Sequence, residues 1–343
     1  MSGSVLVRCD GSPEIGLGHV VRCLALAREL RDEHLLKVGF AMRSGPLGIS
    51  MVREAGFPVV EPPGETVFDY RAWLVEAGRA RGADRLVLDV RDELTADDIA
   101  EIRAVTGARV AVVDDASDRR LAADDVFYPP VPQVLGLEWP GFHGNVHTGW
   151  QWVPLRPEFA VPPERWPHEP PAVLLAMGGS DPAALTLKAV RALARVGGRI
   201  ECIVLVGPGF AHEPELAQLL ETFPHESHVV RNGDVRANML AADLGVLSFG
   251  VTAYEAAACA LPAIHVCIND DSAVSSLAFA AAGMAVSLGR ADHVEDHQLA
   301  AAIEEMLSDN ARQDSMSATA RRLVDGNGVA RIARVIASGG TSD

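Results

Sequence analysis

Strand-like and helix-like segments alternate along the chain, and this alternation constrains the fold more than any other feature. In the first half, the strand candidates are SVLVRC, KVGFAMR, FPVVEP, RLVLDV and ARVAVVDD, and helical patterns lie near residues 19–31, 46–55, 70–82 and 96–106. Such alternation is typical of βαβ units. It predicts a mostly parallel sheet covered by helices.

A second alternating series begins after the segment RPEFAVPPERWPHEPPA, whose prolines can continue neither a helix nor a sheet. Helical patterns then recur at 182–196, 213–222, 234–242, 252–260 and 272–282, and a helical tail covers 294–338. We therefore expect an α/β protein with two doubly wound, Rossmann-like domains that face a central cleft. The first domain is residues 1–157, the linker is 158–171 and the second domain is 172–343. The segment 121–153, rich in Pro, Gly and Trp, is predicted to be irregular.

Composition narrows the class of protein. The 343 residues are 48% hydrophobic, which is enough for two packed cores, and 30 basic against 46 acidic residues give a net charge of −16. This charge argues against nucleic acid or an anionic membrane as a partner. The apolar run VLV is too short for a signal peptide and is followed by charge, and no apolar run of the sequence approaches the roughly twenty residues of a membrane span, so we expect neither a signal peptide nor a membrane-spanning segment. Its five scattered cysteines form no CxxC pair. We expect a cytoplasmic protein with buried, reduced cysteines and no stable membrane contact.

The first candidate site is the segment GLGH, between the strand SVLVRC and an amphipathic helix. Gly16 and Gly18 would let a ligand approach the backbone closely. His19 falls in the first turn of the helix, where the helix dipole favours a neutral imidazole that can accept a proton from water. The alternative is a histidine of the helix cap, with glycines that serve only the turn.

A second candidate site is AMGGSDPAA, residues 176–184, which follows a strand of the second half. The segment supplies Gly178, Gly179 and Ser180 before a helix that Ser180 or Asp181 would cap, with Pro182 as the first helical residue. Exposed amides in such a loop can hold a diphosphate. A well-capped helix after a tight turn explains the same residues.

Two further clusters follow the next strands. In LSFGVTAYE, a helix is expected to begin near Thr252, which places Glu255 in its first turn. Glu255 could accept both hydroxyls of a ribose, or it could simply complement the helix dipole. In CINDDSAVSS, Asn269 and Asp270 suit sugar hydroxyls, and an Asx turn with a helix cap is the alternative. Four such loops at the carboxyl ends of strands predict a common ligand site.

These segments together resemble a known family. CDGSPEIGLGHVVRCLALA is similar to the opening S-x-x-I-G-x-G-H-x-x-R-x-L-x-L-A of the UDP-sugar hydrolases of pseudaminic acid biosynthesis, the UDP-2,4-diacetamido-2,4,6-trideoxy-beta-L-altropyranose hydrolases. MGGSD looks like that family's second-domain phosphate loop, and VPLRPEF resembles its L-R-x-E-F stretch. VRANMLAADLGVLSFGVTAYEAAACALPAIHV resembles both this family and the related lipid-II-forming N-acetylglucosaminyltransferase.

The resemblance implies a GT-B fold, a UDP-sugar substrate and an inverting hydrolase without a metal or other cofactor. His19 would be the catalytic base that activates water for attack on the anomeric carbon, with release of UDP. The residues implied for the nucleotide and its phosphates are Gly16, Gly18, Gly178, Gly179, Ser180, Val235, Ser248, Gly250, Thr252 and Glu255. Those implied for the sugar are Arg22, Arg91, Asn269 and Asp270.

Two positions depart from the family pattern. Arg91 stands where the hydrolases tend to have a tyrosine, and Asp270 stands where a glutamine is usual. An arginine cannot replace a phenol as acid or base, but it can hold a carboxylate or phosphate through two hydrogen bonds. Both departures fall on the sugar side, so they predict a different sugar or an acceptor other than water.

Two alternatives to a hydrolase therefore stay open. One is a GT-B glycosyltransferase that moves a sugar from a nucleotide sugar to a soluble acceptor, since helix 70–82 is too mixed in character for a membrane-docking patch. The other is a regulatory module that binds a nucleotide sugar without turnover, against which His19 in its glycine turn argues. No residue pattern separates uracil from cytosine or predicts an oligomeric state.

Overall fold

The computed structural model describes residues 3–11, 17–43, 45–64 and 68–339. The chain forms two compact units, one made of Met1–Pro157 with Asn327–Asp343, the other of Glu158–Gly326. Each unit contains one β-sheet whose neighbouring strands all pair in parallel. The parallel α/β architecture predicted from the alternation is confirmed.

The first unit is built on seven strands. They are β1 (Ser4–Cys9), β2 (Lys37–Ala41), β3 (Val59–Val60), β4 (Arg85–Asp89), β5 (Arg109–Val113), β6 (Asp125–Tyr128) and β7 (Asn145–Thr148). Its α-helices are α1 (Gly18–Asp32), α2 (Pro46–Glu54), α3 (Tyr70–Arg81), α4 (Ala96–Thr106), α5 (Pro132–Leu135) and α13 (Gly328–Ser338). The strand order is β3-β2-β1-β4-β5-β6-β7.

Both faces of this sheet are covered, which explains why the apolar residues Val5, Leu6 and Val7 of β1 are consecutive rather than at alternate positions. Val5 and Val7 belong to a buried cluster that includes residues of α1 and α13. Leu6 points to the opposite face, into a second buried cluster with residues of α3 and α4.

The second unit is built on six strands. They are β8 (Ala172–Ala176), β9 (Glu201–Val206), β10 (Glu226–Arg231), β11 (Leu244–Leu247), β12 (Ala263–Cys267) and β13 (Ala285–Arg290). Its α-helices are α6 (Leu185–Leu193), α7 (Glu213–Glu221), α8 (Val235–Leu240), α9 (Val251–Ala258), α10 (Asp270–Ala282), α11 (Asp296–Ser308) and α12 (Asn310–Leu323). The strand order is β10-β9-β8-β11-β12-β13.

The segment 121–153 is not irregular as expected, because it contains β6, α5 and β7. β6 is a short strand that pairs with β5, and β7 forms the edge of the sheet beside β6. Each strand is only four residues long, and β7 has the polar sequence NVHT with mostly exposed side chains. Neither strand therefore offers the apolar run by which the other strands are recognised.

The expected domain division also needs correction at two places. The proline-rich segment 158–171 groups with the second unit, where the Arg165 guanidinium donates to the carbonyls of Met239 and Ala242. The last helix, α13, groups with the first unit instead of the second. The apolar face of α13 packs against α1, and Arg85 donates to the carbonyl of Ile336 at its end.

All five cysteines are buried and free, as expected for reduced thiols. In the described part of the chain, no helix combines the length and the apolar character needed to cross a membrane.

Candidate functional site

The topological switch point of the first sheet lies between β1 and β4. β2 lies beside β1 on one side of this point, and β5 lies beside β4 on the other, so the strand order reverses its direction here. Ligands of open parallel sheets bind at such a point, at the carboxyl ends of the strands. The last residues of the two strands, Cys9 and Asp89, are register partners. The loop after β1 leads into α1, which begins at Gly18, so His19 lies in the first helical turn as predicted. Gly16 lies outside the described residues.

His19 and Asp89 meet at this switch point. The Nδ1 atom of His19 is 2.6 Å from Oδ1 of Asp89, whose carboxylate is only 1% exposed. Burial raises the pKa of the Asp89 carboxyl, but the Arg22 cation and the hydrogen bonds from Arg22 and His19 outweigh burial and hold this pKa well below its usual range. An ionised carboxylate can only accept, so Nδ1 of His19 must donate its proton to Asp89.

This contact fixes the chemistry of the imidazole. With the proton on Nδ1, the Nε2 atom of a neutral His19 has a free lone pair and can act as a general base. His19 is partly exposed and lines a cleft of about 850 Å³ within the first unit. The arrangement is that of an oriented base at a ligand-sized cavity.

Arg22 was expected to contact the sugar, but in the structure its guanidinium contacts two carboxylates. Its Nε and Nη2 atoms each lie 2.6 Å from an oxygen of Asp89, and its Nη1 atom lies 2.9 Å from Oδ2 of Asp114. The side chain is 12% exposed. All three nitrogen atoms of the guanidinium therefore contact carboxylates, and Arg22 holds the Asp89 carboxylate that pairs with His19.

Arg91 lines the cleft, as its predicted role in sugar binding requires. Its side chain is 64% exposed, and among the described residues it pairs with Asp114 at 3.9 Å. The rest of the lining is Asp10, His19, Arg43, Glu61, Pro62, Pro63, Gly64, Phe68, Asp89, Val90, Asp92 and Glu93. Apolar side chains and charged groups thus share the wall, as in sites that bind polar rings.

A buried ionic network below the cleft was not predicted. Arg8 is fully buried in β1, where it contacts Asp10 at 2.5 Å, Asp92 at 3.0 Å and the Tyr70 hydroxyl at 2.6 Å. Tyr70 in turn donates to Asp92 at 2.5 Å. Burial is the main reason that the pKa of the Tyr70 phenol is strongly raised. The one signal in the sequence is an arginine inside an otherwise apolar strand, since a buried charge requires partners.

Arg119 holds the loop that follows β4. Its buried guanidinium donates to the carbonyls of Val90, Asp92 and Leu94, and it also contacts the carboxylates of Asp92 and Asp115. The cleft-lining residues 90–93 therefore have a fixed backbone.

The second sheet has its own switch point between β8 and β11. Gly178, Gly179 and Ser180 follow β8, and Ser248, Gly250 and Thr252 follow β11 or begin α9, so the structure brings these predicted residues to one edge. Asn269 and Asp270 follow the adjacent strand β12. Val235 follows β10, which is separated from β8 by β9.

The glycine loop differs from the expectation at its helix. α6 begins at Leu185 rather than at Pro182, and the Asp181 carboxylate accepts from the backbone N–H groups of Leu185 and Thr186 at 2.8 Å each. These two amides are already paired and are not free for a phosphate. Gly178 has a φ of 87°, and added Cβ atoms at Gly178 or Gly179 would meet open space. The loop before Asp181 is thus the part that a ligand can approach.

α9 begins at Val251, near Thr252 as predicted, and Glu255 is its fifth residue, just after the first turn. Its side chain is buried, as is that of Ser248.

Asn269 caps α10, since its Oδ1 accepts from the N–H of Ser272 at 2.9 Å. The helix cap considered as an alternative is thus a role that Asn269 has in the structure. Asp270 forms an exposed ion pair with Arg290, at 3.1 Å. Among the residues that the structure describes, no three His, Cys, Asp or Glu side chains are grouped to hold a metal ion.

Comparison with known proteins gives distant relatives. No family model matches the chain. The chain is 22% identical over 332 residues to the spore coat polysaccharide biosynthesis protein SpsG of Bacillus subtilis. This alignment covers 95% of this chain and 96% of SpsG. The chain is also 26% identical over 187 residues to the UDP-2,4-diacetamido-2,4,6-trideoxy-beta-L-altropyranose hydrolase of Campylobacter jejuni. That alignment covers 54% of this chain and 63% of the hydrolase.

Solved structures match over nearly the full length. MurG of Acinetobacter baumannii superposes with a TM-score of 0.73 at 14% identity, over 98% of this chain and 99% of MurG. The glycotransferase of kitacinnamycin gives a TM-score of 0.69 at 17% identity, over 98% of each chain. Anabaena HepE, solved in complex with UDP-glucose, gives a TM-score of 0.63 at 14% identity, over 98% of this chain and 99% of HepE. These likenesses confirm the predicted GT-B class, with two Rossmann-like, parallel-sheet domains.

Proposed function

We propose that the protein is an enzyme that processes nucleotide sugars, and specifically an inverting hydrolase of a UDP-linked amino or deoxy sugar. The observation on which this proposal depends is the 2.6 Å contact between His19 and Asp89 at the wall of a ligand-sized cleft. The relatives support the coarser class, because they include a UDP-sugar hydrolase and a polysaccharide biosynthesis protein.

In the proposed reaction, Nε2 of His19 takes a proton from water as the water oxygen attacks the anomeric carbon. The bond between this carbon and the phosphate oxygen breaks, and its electron pair leaves with UDP. The products are the free sugar with inverted configuration and UDP, and His19 returns its proton to solvent. Asp89 stabilises the imidazolium that forms in this step.

The second unit would supply the nucleotide contacts. The loop Gly178–Ser180 would place backbone amides on the diphosphate, and Glu255 would accept the ribose hydroxyls. Neutralising the leaving group in this way lowers the barrier without a metal, because the donors are already in place when charge develops.

The proposal is tested by incubating the purified protein with a panel of UDP- and CMP-sugars, without acceptor, and following the products by NMR. We expect prompt release of one inverted reducing sugar together with free nucleotide. Changing His19→Asn should lower turnover by about 100- to 10,000-fold with UDP affinity unchanged. The exposed histidine His143 provides a control, since His143→Asn should leave turnover intact. Loss of UDP affinity in parallel with turnover would instead make His19 structural.

A glycosyltransferase is the second candidate. A base oriented as His19 is can equally take a proton from an acceptor hydroxyl, and the cleft of about 850 Å³ has room for more than a water molecule. Structural neighbours such as the glycotransferase of kitacinnamycin favour the same reading. Donor binding without release, followed by release when a soluble acceptor is added, would select the transferase over the hydrolase.

A further inference from the structure

Arg22 contacts both members of the His19–Asp89 pair. Two of its nitrogen atoms reach the two oxygens of Asp89 at 2.6 Å, and the third reaches Asp114 at 2.9 Å. The two contacts with Asp89 form a bidentate pair, in which the planar guanidinium makes two parallel hydrogen bonds to one carboxylate (a two-pronged contact). A lysine ammonium could not make the same three contacts, since it is a single charged nitrogen.

The first effect of these contacts falls on Asp89. A buried carboxylate without a counter-charge would take up a proton, because burial disfavours the charged form. A protonated Asp89 could present an O–H to Nδ1 of His19 and so move the ring proton to Nε2. Arg22 prevents this by keeping Asp89 ionised, which leaves the Asp89 oxygen as an acceptor only.

The second effect falls directly on His19. The Nη2 atom of Arg22 is 3.1 Å from Nδ1 of His19. Because Nδ1 already has a proton that it donates to Asp89, this contact is the approach of a cation rather than a hydrogen bond. A cation at this distance opposes a second proton on the imidazole, which the Asp89 carboxylate alone would favour.

We propose that Arg22 is a positioning residue for the base: it holds Asp89 as an ionised acceptor aimed at Nδ1 of His19, which places the lone pair of the neutral imidazole on Nε2. The part of this statement that concerns catalysis rests on the proposed function, whereas the tautomer does not.

Other charged and titratable groups surround this cluster. Asp10 and Asp92 are balanced by Arg8, and Arg43 pairs with Glu93 at 2.7 Å. Among the described residues, the remaining ones that face the cluster are the Cys9 and Cys23 thiols, Asp114 and Arg91. The Cys23 thiol donates to Asp89 at 3.3 Å, and the hydrogen bond with Cys9, burial and the Asp89 charge raise its pKa, so it stays protonated and uncharged. Asp89 and Arg22 are the charged groups of this set in direct contact with the His19 ring.

The test is NMR of the full-length protein with isotope-labelled histidine, in which the His19 signals are assigned from the His19→Gln variant. The ring ¹⁵N shifts should show the proton on Nδ1 in the wild type. In Arg22→Gln we expect the His19–Asp89 pair to bind a further proton about tenfold more tightly or more, because a cation is lost, and this proton leaves Nε2 of His19 protonated. The acidic limb of the turnover profile should move upward in pH by the same amount.

Two further variants serve as comparisons: one retains the positive charge at position 22, and the other removes an arginine far from His19 in sequence. Arg22→Lys keeps a charge without the two-pronged contact, so we expect a smaller rise in proton affinity and a mixture of tautomers; this variant decides the question if Arg22→Gln does not fold. Arg71→Gln removes an arginine that pairs with Glu101 on the surface of the same unit, and it should leave the His19 signals unchanged.

An unchanged His19 tautomer and proton affinity in the folded Arg22 variants would overturn the proposal. Absence of turnover with every nucleotide sugar would instead contradict the proposed function, and the NMR result on Arg22 would still stand.

Discussion

Gly207 lies so close to Gly179 that a Cβ atom on Gly207 would come within 2.5 Å of the Gly179 carbonyl oxygen. The same carbonyl accepts from the N–H of Gly209 at 3.0 Å. The turn after β9 thus holds the glycine loop that follows β8. The loop proposed to bind the diphosphate is fixed by its neighbour rather than by its own side chains.

A methyl group on Gly207 would displace this loop, because the obstructing atoms belong to the backbone and cannot rotate away. We expect Gly207→Ala to weaken UDP binding by about tenfold or more and to cost about 1–3 kcal/mol of stability through overpacking. Isothermal titration calorimetry and urea unfolding measure the two effects. Gly197→Ala is the matched control, since a Cβ atom there meets nothing within 4 Å. A folded Gly207→Ala protein with wild-type UDP affinity would move the phosphate site elsewhere.

The buried carboxylate of Glu255 should distinguish a ribose from a deoxyribose. We expect the wild type to bind 2′-deoxy-UDP about 10- to 100-fold more weakly than UDP, in line with one hydrogen bond to a charged group. Glu255→Ala should bind both nucleotides equally and weakly, while the exposed Glu221→Ala should keep the discrimination. Calorimetric titrations with the two nucleotides give these ratios. If both affinities fell by the same factor and the preference for UDP persisted, Glu255 would be a structural residue.

Arg119 should control the mobility of the cleft wall. In Arg119→Lys the carbonyls of Val90, Asp92 and Leu94 lose a shared donor, so we expect a stability loss of about 2 kcal/mol and faster amide exchange in residues 90–94. Substrate affinity should fall with UDP affinity retained. Hydrogen–deuterium exchange measures the amide exchange rates of residues 90–94. The variant Arg109→Lys serves as the comparison, because the Arg109 side chain is half-exposed. Wild-type exchange in residues 90–94 would show that other contacts fix the loop.

His265 should make the second unit sensitive to acid. This side chain is fully buried beside Phe249 and Phe279, its Nε2 atom has no hydrogen-bond partner among the described residues, and burial lowers its pKa from 6.5 to about 3. Between these two values the unfolded chain binds a proton that the folded chain does not, so stability is complete above pH 6.5 and is lost as pH falls toward 3.

The size of this effect can be measured by substitution. Between pH 7.5 and 5.0 the wild type should lose about 2 kcal/mol more than His265→Phe, at about 1.4 kcal/mol for each pH unit below 6.5. Urea unfolding followed by circular dichroism at both pH values provides the comparison. Equal losses in the two proteins would mean that His265 accepts its proton in the folded state.

The sequence was sufficient for those features that depend on local pattern. The alternation predicts the parallel sheets, and it also places His19 and the loop Gly178–Ser180 after strands, where the structure has them. Segments with long apolar or periodic patterns, such as β1 and α4, have the predicted bounds. The four-residue strands β6 and β7 were missed because their side chains provide too few positions to establish a period.

The partners of the predicted residues could not be read from the sequence. Asp89 is 70 residues from His19, and Asp114 is 92 residues from Arg22, so nothing local indicates either pairing. Arg22 was assigned to the sugar for the same reason: its motif fixes a position on α1, but only the fold shows which carboxylates that position faces. Asp181 likewise reads as a cap from its spacing, although the helix that it caps begins later than expected.

The position of α13 has a consequence for how the chain is divided. The second unit is a single uninterrupted stretch inserted into the first, so the chain crosses between the units twice, near residues 157 and 326. One proteolytic cut near residue 326 leaves residues 1–157 covalently linked to the second unit, whereas one cut near residue 157 leaves the second unit covalently linked to residues 327–343 alone. A fragment that ends at residue 157 would expose the face of α1 that α13 covers, whereas residues 158–326 contain every strand of their own sheet.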